Sequence, residues 1–264
     1  MKKAKSVALV AAGNLTDSFV SKFYWLSGRL GPVKSTSIRL ASRIVNYLRA
    51  GHPVSDWTQF DACELILVYL PDRMLARTLH ELACSGIGFR GKAVVLCSVW
   101  HDSSELGALC ALGASVGSIG PIPGFGDLRF LIEGDARAVR AARRLVEHRE
   151  RRGVVIERSL KPLFLAAMTC TGSVLFSVVM AASESLRYAG VTPVVSASIL
   201  EKQLRRTLRS YVRAGRKAFP APHDLARQVR ALAAADPGLA QYLEDSSRLA
   251  ERLLERRHAS AGAD

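Results

Sequence analysis

Short apolar runs alternate with amphipathic stretches from Ser6 to about Arg158, and this alternation constrains the fold more than any other feature. Val7 to Ala12 is the first such run, and Cys63 to Leu70 is nearly all apolar, as a strand covered on both faces must be. Strands that alternate with helices form repeated strand-helix units. We therefore predict an α/β domain with a largely parallel sheet.

After Arg158 the pattern changes to helices alone. Gly and Pro residues, such as Gly190 and Pro237, separate the helical segments. The sequence thus predicts an α/β domain over residues 1–158, followed by an all-α domain over residues 159–264. The predicted helical segments of the second domain are 160–188, 194–216, 223–235 and 239–257.

The chain has 37 Lys and Arg residues against 23 Asp and Glu, a formal net charge of +14. Such a surplus favours an anionic partner: a cofactor phosphate, a nucleic acid or a lipid surface. Two basic blocks hold much of the charge, and the second follows helical spacing, so that it forms one stripe. The blocks are Arg137, Arg140, Arg143, Arg144, Arg149, Arg151 and Arg152, and Lys202, Arg205, Arg206, Arg209, Arg213, Arg216 and Lys217.

The cysteines form no Cys-x-x-Cys pair, and most of them lie inside apolar runs. We expect buried thiols in a reducing compartment. The apolar run near the N-terminus is too short for a signal peptide. The prediction is a cytoplasmic protein. The five cysteines are Cys63, Cys84, Cys97, Cys110 and Cys170.

The stretch between Lys161 and Glu184 has no charged residue and is long enough to span a bilayer. It contains few leucines and many small or hydroxylated side chains, such as Thr171 and Ser173. This composition is typical of a helix wedged between protein neighbours. We expect a buried central helix, with a transmembrane helix as the alternative.

The first predicted strand and the turn after it are where a dinucleotide pyrophosphate would bind, because glycines there let backbone N–H groups approach the phosphates. Of the motif G-x-G-x-x-G, only the middle glycine is present, as Gly13. A helix predicted over residues 14–27 makes Gly13, Asn14 and Leu15 the candidate pyrophosphate site. Asp17 competes with a phosphate for the helix N-terminus, so a purely structural role for Gly13 stays open.

Between Ser18 and Ser55 the sequence has no Asp or Glu. An acidic residue in this region usually binds the ribose 2′-hydroxyl of NAD. A basic and hydroxylated cluster instead follows the second predicted strand, and it suits the 2′-phosphate of NADP. We therefore predict NADP rather than NAD, with an ordinary solvated loop as the alternative. The cluster comprises Lys34, Ser35, Thr36, Ser37 and Arg39.

A series of further motifs follows Gly13 along the chain. They are Pro71-Asp72 at a predicted strand end, the Ser98 segment, Gly117 to Pro121 running to Phe125, Ile132 to Asp135, Lys161, and Asp236-Pro237. Their order and spacing resemble the Rossmann-like proteins that carry a C-terminal helical domain of unknown function, the domain of unknown function 2520 family. That family is related to pyrroline-5-carboxylate reductase, ketopantoate reductase and the 6-phosphogluconate and β-hydroxyacid dehydrogenases.

The resemblance implies an α/β Rossmann-like parallel sheet domain that binds NAD(P), followed by an all-α domain that supplies the substrate cleft and a homodimer contact. It implies that Pro71 lies at the cofactor and that Ser98 borders the nicotinamide. It also implies that Lys161, at the start of the long helix, lies at the cleft.

The sequence departs from the family pattern where that pattern commonly has histidine, since Leu96, Gly120 and Leu165 occupy these positions. Gly172 stands near a common asparagine position. Hydride transfer to a carbonyl or imine also needs a proton carrier. Lys161 is the residue left for that role and His101 ranks after it, while a structural lysine at the domain junction is the alternative.

The first functional hypothesis is therefore a cytoplasmic, homodimeric NAD(P)-dependent oxidoreductase of the reductase and β-hydroxyacid dehydrogenase type, acting on a small molecule. The second is a non-catalytic nucleotide-binding or scaffold protein on the same fold, with a basic surface for an anionic partner. A third is binding of nucleic acid or an anionic membrane surface by the second basic block. The six histidines are scattered without paired ligands, so no metal site is predicted.

Overall fold

The computed structural model describes residues 7–13, 19–23, 26, 28–124, 126, 128–147, 151–219 and 222–255. Residues 1–166 and 167–264 form two compact units. The first unit is an α/β structure and the described part of the second is helical. The division falls inside the helix that follows the predicted boundary at residue 158. The candidate residues Asn14, Leu15 and Phe125 lie outside the described residues.

The strands of the first unit are β1 (Val7–Ala11), β2 (Leu30–Lys34), β3 (His52–Pro53), β4 (Leu65–Tyr69), β5 (Ala93–Leu96), β6 (Ser115–Pro121), β7 (Arg129–Gly134) and β8 (Arg152–Val155). They form one sheet in the order β3-β2-β1-β4-β5-β6-β7-β8. Neighbouring strands are parallel, except that β7 is antiparallel to β6. This arrangement confirms the predicted Rossmann-like fold followed by a helical region.

The α-helices are α1 (Ile38–Leu48), α2 (Asp72–Ala83), α3 (Gly107–Ala111), α4 (Ala136–Val146), α5 (Lys161–Thr169), α6 (Leu175–Tyr188), α7 (Pro193–Ala214), α8 (Leu225–Ala235) and α9 (Pro237–Glu255). Short 3-10 turns occur at Phe19–Lys22, Thr58–Ala62, Ser103–Leu106, Arg158–Leu160 and Gly215–Ala218. A π-helical segment, Cys170–Val174, joins α5 to α6.

Two hydrophobic layers cover the sheet. Alternate strand residues point to opposite faces, so Leu9 and Val10 of β1 enter different clusters. Helices α1 and α4 pack on the face of Leu9, whereas α2 and α3 pack on the face of Val10. Burial on both faces explains why the central strands are almost entirely apolar.

The connection between β1 and β2 differs from the prediction. We expected a helix over residues 14–27, but the described residues Phe19–Lys22 form a 3-10 turn. Phe19 lies 5.6 Å from the ring of Phe23 and 6.0 Å from that of Phe130, measured between ring centroids. These large rings pack against one another beside the sheet, so in the described part of the connection tertiary packing outweighs the helical spacing of the apolar residues.

The uncharged stretch is helical, as expected, but it is not a buried helix within this chain. It belongs to the continuous helical segment Arg158–Tyr188. In the most apolar 18-residue stretch of that segment, no residue is buried. This segment is long and apolar enough to cross a membrane, as some core helices of soluble proteins also are. The expectation of burial is therefore wrong for this chain, although α6 does contact the rest of the helical unit, as at the hydroxyl groups of Ser177 and Tyr242 (3.0 Å).

The cysteines are also less buried than expected. The structure joins no two of the five, all of which are described, by a disulfide bond, and Cys63 and Cys97 are buried, whereas Cys84, Cys110 and Cys170 are exposed. Burial raises the pKa of the Cys97 thiol. Cys84 caps the C-terminus of α2, Cys110 lies on α3 and Cys170 begins the π-helical segment, and the apolar composition of their neighbours does not reveal their exposure.

Candidate functional site

The carboxyl ends of β1 and β4 form the point where the sheet order reverses. The chain continues from β1 to β2 and β3 on one side, and from β4 to β5 and β6 on the other. In open α/β sheets, ligands bind in the crevice that this reversal creates. Two described residues of the predicted site, Gly13 and Pro71, follow these two strands.

Gly13 and Pro71 meet at this crevice. Gly13 follows β1 with a φ of +87°, and a Cβ atom added to it would lie 3.1 Å from Cγ of Pro71. The backbone amide of Ala12 donates a hydrogen bond to the carbonyl oxygen of Tyr69 at 3.1 Å. The positive φ favours glycine, and a side chain would also press on the ring of Pro71, so the single glycine left from the motif has a local structural reason.

The cluster at the end of β2 lies at the N-terminus of α1. The Ser37 hydroxyl caps α1 by accepting a hydrogen bond from the Leu40 amide at 3.2 Å, and Thr36 and Arg39 are exposed. The buried Oγ atom of Ser35 has no hydrogen-bond partner. Unpartnered buried hydroxyls are uncommon, and ligand binding is one way to satisfy them.

Lys34 extends away from that helix N-terminus. Its Nζ atom donates to the carbonyl oxygen of Ser55 at 2.6 Å and lies 4.8 Å from the ring centroid of Trp57. The structure thus places Ser35, Thr36 and Arg39 together, whereas Lys34 contacts the segment that follows β3.

The loop after β5 is held in shape by Ser98. Its Oγ atom accepts hydrogen bonds from the amides of Trp100 and His101, both at 3.2 Å. The loop also lies directly on β6, since a Cβ atom added to Gly120 would be 2.6 Å from Cα of Val99. The missing side chain at position 120 therefore makes room for the loop backbone.

His101 projects toward the neighbouring strand end. Its Nε2 atom lies 2.9 Å from Oδ1 of Asp72, the first residue of α2 after β4. Its Nδ1 atom lies 3.7 Å from Oε1 of Glu105. The imidazole side chain is 26% exposed, so it is accessible from solvent.

Lys161 lies beneath this loop and is only 1% exposed. Its Nζ atom donates to the carbonyl oxygen of His101 at 2.5 Å, to Oγ of Ser118 at 2.6 Å and to the carbonyl oxygen of Ser98 at 3.4 Å. Three acceptors match the three N–H bonds of an ammonium group. The structure therefore joins the predicted residues Lys161 and Ser98, through the Ser98 backbone.

A buried carboxylate balances the charge of Lys161. Oε1 of Glu133 lies 3.8 Å from Nζ of Lys161, and Glu133 is 0% exposed. Glu133 accepts hydrogen bonds from the hydroxyl of Ser118, and from the amide (2.8 Å) and hydroxyl (2.7 Å) of Ser103. Nε of Arg158 lies 3.6 Å from Oε2 of Glu133. We call Lys161, Ser118, Glu133 and Ser103 the buried polar network.

Sequence reasoning missed Ser103, Ser118 and Glu133 as parts of the site. Each is a common polar residue, and Glu133 stood out only as part of a motif carried by the resemblance. The signal available in the sequence was an acidic residue directly after the apolar run Phe130 to Ile132. Its pairing with Ser118 across β6 and β7 is visible only in the structure.

Burial and charge shift two titratable groups of this region. Desolvation lowers the pKa of Lys161, and the charges of Glu133 and Asp102 act in the opposite direction. Partial burial opposes ionisation of Asp102, but hydrogen bonds from the hydroxyl and amide of Ser104 lower its pKa overall. Asp102 is thus an ionised N-cap of the turn that also contains Ser103.

Several predicted residues lie along one edge of the sheet, the edge formed by the carboxyl ends of its parallel strands. Gly13 follows β1, Pro71 follows β4, Ser98 follows β5, and the cluster with Arg39 follows β2. These four strands are neighbours in the order β2-β1-β4-β5. With a strand spacing of about 4.8 Å, their ends span about 14 Å.

Among the described residues, no group of three His, Cys, Asp or Glu side chains is placed to hold a metal ion.

The second basic block lies on α7 in the helical unit. Its residues on that helix are exposed, and Arg205 forms an ion pair with Glu201 at 2.8 Å. Binding of a polyanion by this stripe stays a prediction.

No family model and no curated protein matches the chain. Solved structures do share its fold. A candidate NADP oxidoreductase from Bacteroides fragilis is 17% identical, with a TM-score of 0.70 over 94% of this chain and 98% of its own. An imine reductase from Aspergillus terreus, in complex with NADPH4, is 17% identical, with a TM-score of 0.65 over 96% and 95%. A variant imine reductase from Myxococcus stipitatus, in complex with NAD+, is 16% identical, with a TM-score of 0.60 over 99% and 95%.

Proposed function

We propose that the chain is an NADP-dependent oxidoreductase of the reductase and β-hydroxyacid dehydrogenase type, which reduces a carbonyl or imine group of a small molecule. The observation that carries the proposal is the contact of Gly13 with Pro71 at the point where the sheet order reverses. Structures of the same fold were solved with NADPH4 and with NAD+, which supports a nicotinamide dinucleotide.

The residues along the sheet edge fit such a cofactor. A side chain at Gly13 would fill the space beside Pro71. Glycine keeps that space open, which lets a pyrophosphate approach the backbone. Asn14 and Leu15 belong to the same proposed pyrophosphate site. The unpartnered Oγ atom of Ser35 is a donor for a phosphate oxygen.

The choice of NADP over NAD rests on the end of β2. Thr36 and Arg39 are exposed beside Ser35 at the N-terminus of α1, where the helix dipole favours an anion. Lys34 joins them in the proposed 2′-phosphate site if its ammonium leaves Ser55. No carboxylate between Ser18 and Ser55 repels the phosphate.

When bound, a reduced nicotinamide supplies a hydride. In this proposal it lies beside Ser98, at the carboxyl end of β5. Lys161 acts there as a positioning residue, because its ammonium is enclosed and bound to the backbone of Ser98 and His101. For Lys161 itself to carry the proton, as the sequence predicts, its ammonium group must first leave these hydrogen bonds.

Calorimetric titration of the purified chain with NADPH and NADH tests the proposal. We expect saturable binding of both, with NADPH the tighter ligand. Replacement of Gly13 by Val should abolish binding of both cofactors, whereas Gly86→Val is the matched control. Gly86 has a similar φ of +77° but follows α2, away from the strand ends. Absence of binding at millimolar NADPH would contradict the proposed function.

We propose that the partner of the helical unit is a second copy of the chain. Among its described residues only Ser196 and Ala240 are buried, whereas Phe176, Val194 and Val212 are 65%, 82% and 76% exposed. A helical unit that buries so little apolar surface needs a cover, and a surface that pairs with its own copy supplies one. Light scattering should show a dimer that Val194→Glu weakens and Arg252→Glu does not. A monomeric wild type would contradict this proposal.

The exposed free thiols of Cys84, Cys110 and Cys170 persist in a reducing compartment, which supports the proposed cytoplasmic location. Fractionation of cells that express the chain tests this. Recovery in the soluble extract agrees with it, and recovery only with detergent-solubilised membranes would instead make the Arg158–Tyr188 helix a membrane span.

A further inference from the structure

The imidazole of His101 is the titratable group best placed at the proposed nicotinamide end of the edge. His101 belongs to the loop after β5, and its partner Asp72 begins the helix after the neighbouring strand β4. His101 comes three positions after Ser98 and five after the end of β5, and its backbone amide donates a hydrogen bond to Oγ of Ser98. The loop that would border the nicotinamide therefore also carries an accessible imidazole.

Both sides of the His101 residue are fixed. Its backbone carbonyl oxygen accepts a hydrogen bond from Nζ of Lys161 at 2.5 Å, and its ring nitrogen Nε2 is 2.9 Å from Oδ1 of Asp72. A carboxylate that binds one imidazole nitrogen orients the ring and selects its tautomer. Nδ1 is then the nitrogen that exchanges a proton with a ligand.

The charged groups around the ring come from three elements. Asp72 faces it from α2, and Glu105 faces Nδ1 from the 3-10 turn at a distance of 3.7 Å. Lys161 approaches from α5, but it contacts the backbone and not the ring. The ring thus lies between two carboxylates, one near each of its nitrogens.

We infer that His101 is the proton donor of the proposed reduction, with Asp72 and Lys161 as its positioning residues. The inference rests on the proposed function. The substrate carbon gains the hydride of the reduced nicotinamide, and the electron pair of the C=O or C=N double bond moves to oxygen or nitrogen. That atom takes the proton from Nδ1 of His101. The products are an alcohol or amine, a neutral imidazole and oxidised nicotinamide.

His101→Gln, Asp72→Asn and the control His80→Gln test the inference in the full-length chain. His80 is an exposed histidine on α2 whose ring contacts Cys84 and lies outside the proposed site. The rate of NADPH oxidation is measured with a panel of cyclic imines and 2-oxo acids across pH, and NADPH affinity is measured by calorimetry.

We expect His101→Gln to lower kcat by about 10²- to 10⁴-fold and to remove one limb of the pH profile, with NADPH affinity almost unchanged. Asp72→Asn should lower kcat less, because it loosens the orientation of the ring without removing it. His80→Gln should behave as the wild type. An unchanged rate or pH profile in His101→Gln would overturn the inference.

A second measurement needs no substrate. Diethyl pyrocarbonate modifies accessible imidazoles, and peptide mass spectrometry reads the modification of His101 and His80 separately. Saturating NADPH should protect His101 and leave His80 reactive. Binding of NADPH without protection of His101 refutes the inference alone, whereas absence of NADPH binding refutes the proposed function and the inference with it.

Discussion

The Nζ atom of Lys161 lies 2.5 Å from the carbonyl oxygen of His101, so the first residue of α5 fixes the loop that follows β5. The same ammonium lies 3.8 Å from a carboxylate oxygen of Glu133. The loop is therefore supported by a buried charge pair, and several properties of the protein follow from this arrangement.

Replacement of Lys161 by Met should lower the free energy of unfolding by about 3–5 kcal/mol, because it leaves the buried Glu133 carboxylate without its lysine. The double variant Lys161→Met with Glu133→Gln should recover part of that loss. Urea denaturation measures both. Lys202→Met on the exposed surface of α7 should change stability by less than about 0.5 kcal/mol. Equal stabilities for Lys161→Met and Lys202→Met would contradict a structural role for the pair of Lys161 and Glu133.

Replacement of Gly120 by Ala should destabilise the loop after β5. Its Cβ atom would lie 2.6 Å from Cα of Val99, so the backbone must move, at a cost of about 1–3 kcal/mol. Gly172→Ala is the control, since its Cβ atom would meet nothing within 4 Å and alanine favours the helix. Thermal unfolding should show a lower Tm for Gly120→Ala and a Tm equal to or above wild type for Gly172→Ala.

Replacement of Arg39 by Ala tests the proposed 2′-phosphate site. Loss of one charged hydrogen-bond donor should weaken NADPH binding by about 10- to 100-fold and leave NADH binding almost unchanged. The control is Arg43→Ala, which removes an exposed arginine one turn further along α1. Calorimetry with both cofactors gives the four affinities. Parallel weakening of NADH and NADPH would place Arg39 outside a 2′-phosphate site.

Asp102 should make stability depend on pH in the acid range. Hydrogen bonds from Ser104 lower its pKa in the folded chain below the ordinary value of 3.8. Its contribution is therefore complete above pH 3.8 and is lost as pH falls through the lower, folded value. Asp102→Asn should cost about 1 kcal/mol or less at pH 7, because the group is partly solvated, and the difference should shrink by pH 3. Urea denaturation at both pH values checks this, with Asp245→Asn on the exposed surface of α9 measured as the control.

Much of the fold was predictable because its signals are local. Apolar runs such as Val7 to Ala12 and Cys63 to Leu70 become β1 and β4, since a strand covered on both faces must be apolar throughout. The exception is the connection after β1, where the packing of Phe19 and Phe23 against Phe130 overrides helical spacing. Burial of the 158–188 helix was predicted wrongly, because burial depends on which surfaces meet.

By itself the sequence determined the alternation of strands and helices, the change to helices after Arg158, and the residues that follow each strand. Tertiary structure alone decided that Lys161, Ser118, Glu133 and Ser103 share one buried network. These residues are far apart in the chain, and each is of a type that usually lies on the surface. A buried charge is stable only when distant groups supply its hydrogen bonds, and those partners exist only once the sheet and its loops have packed.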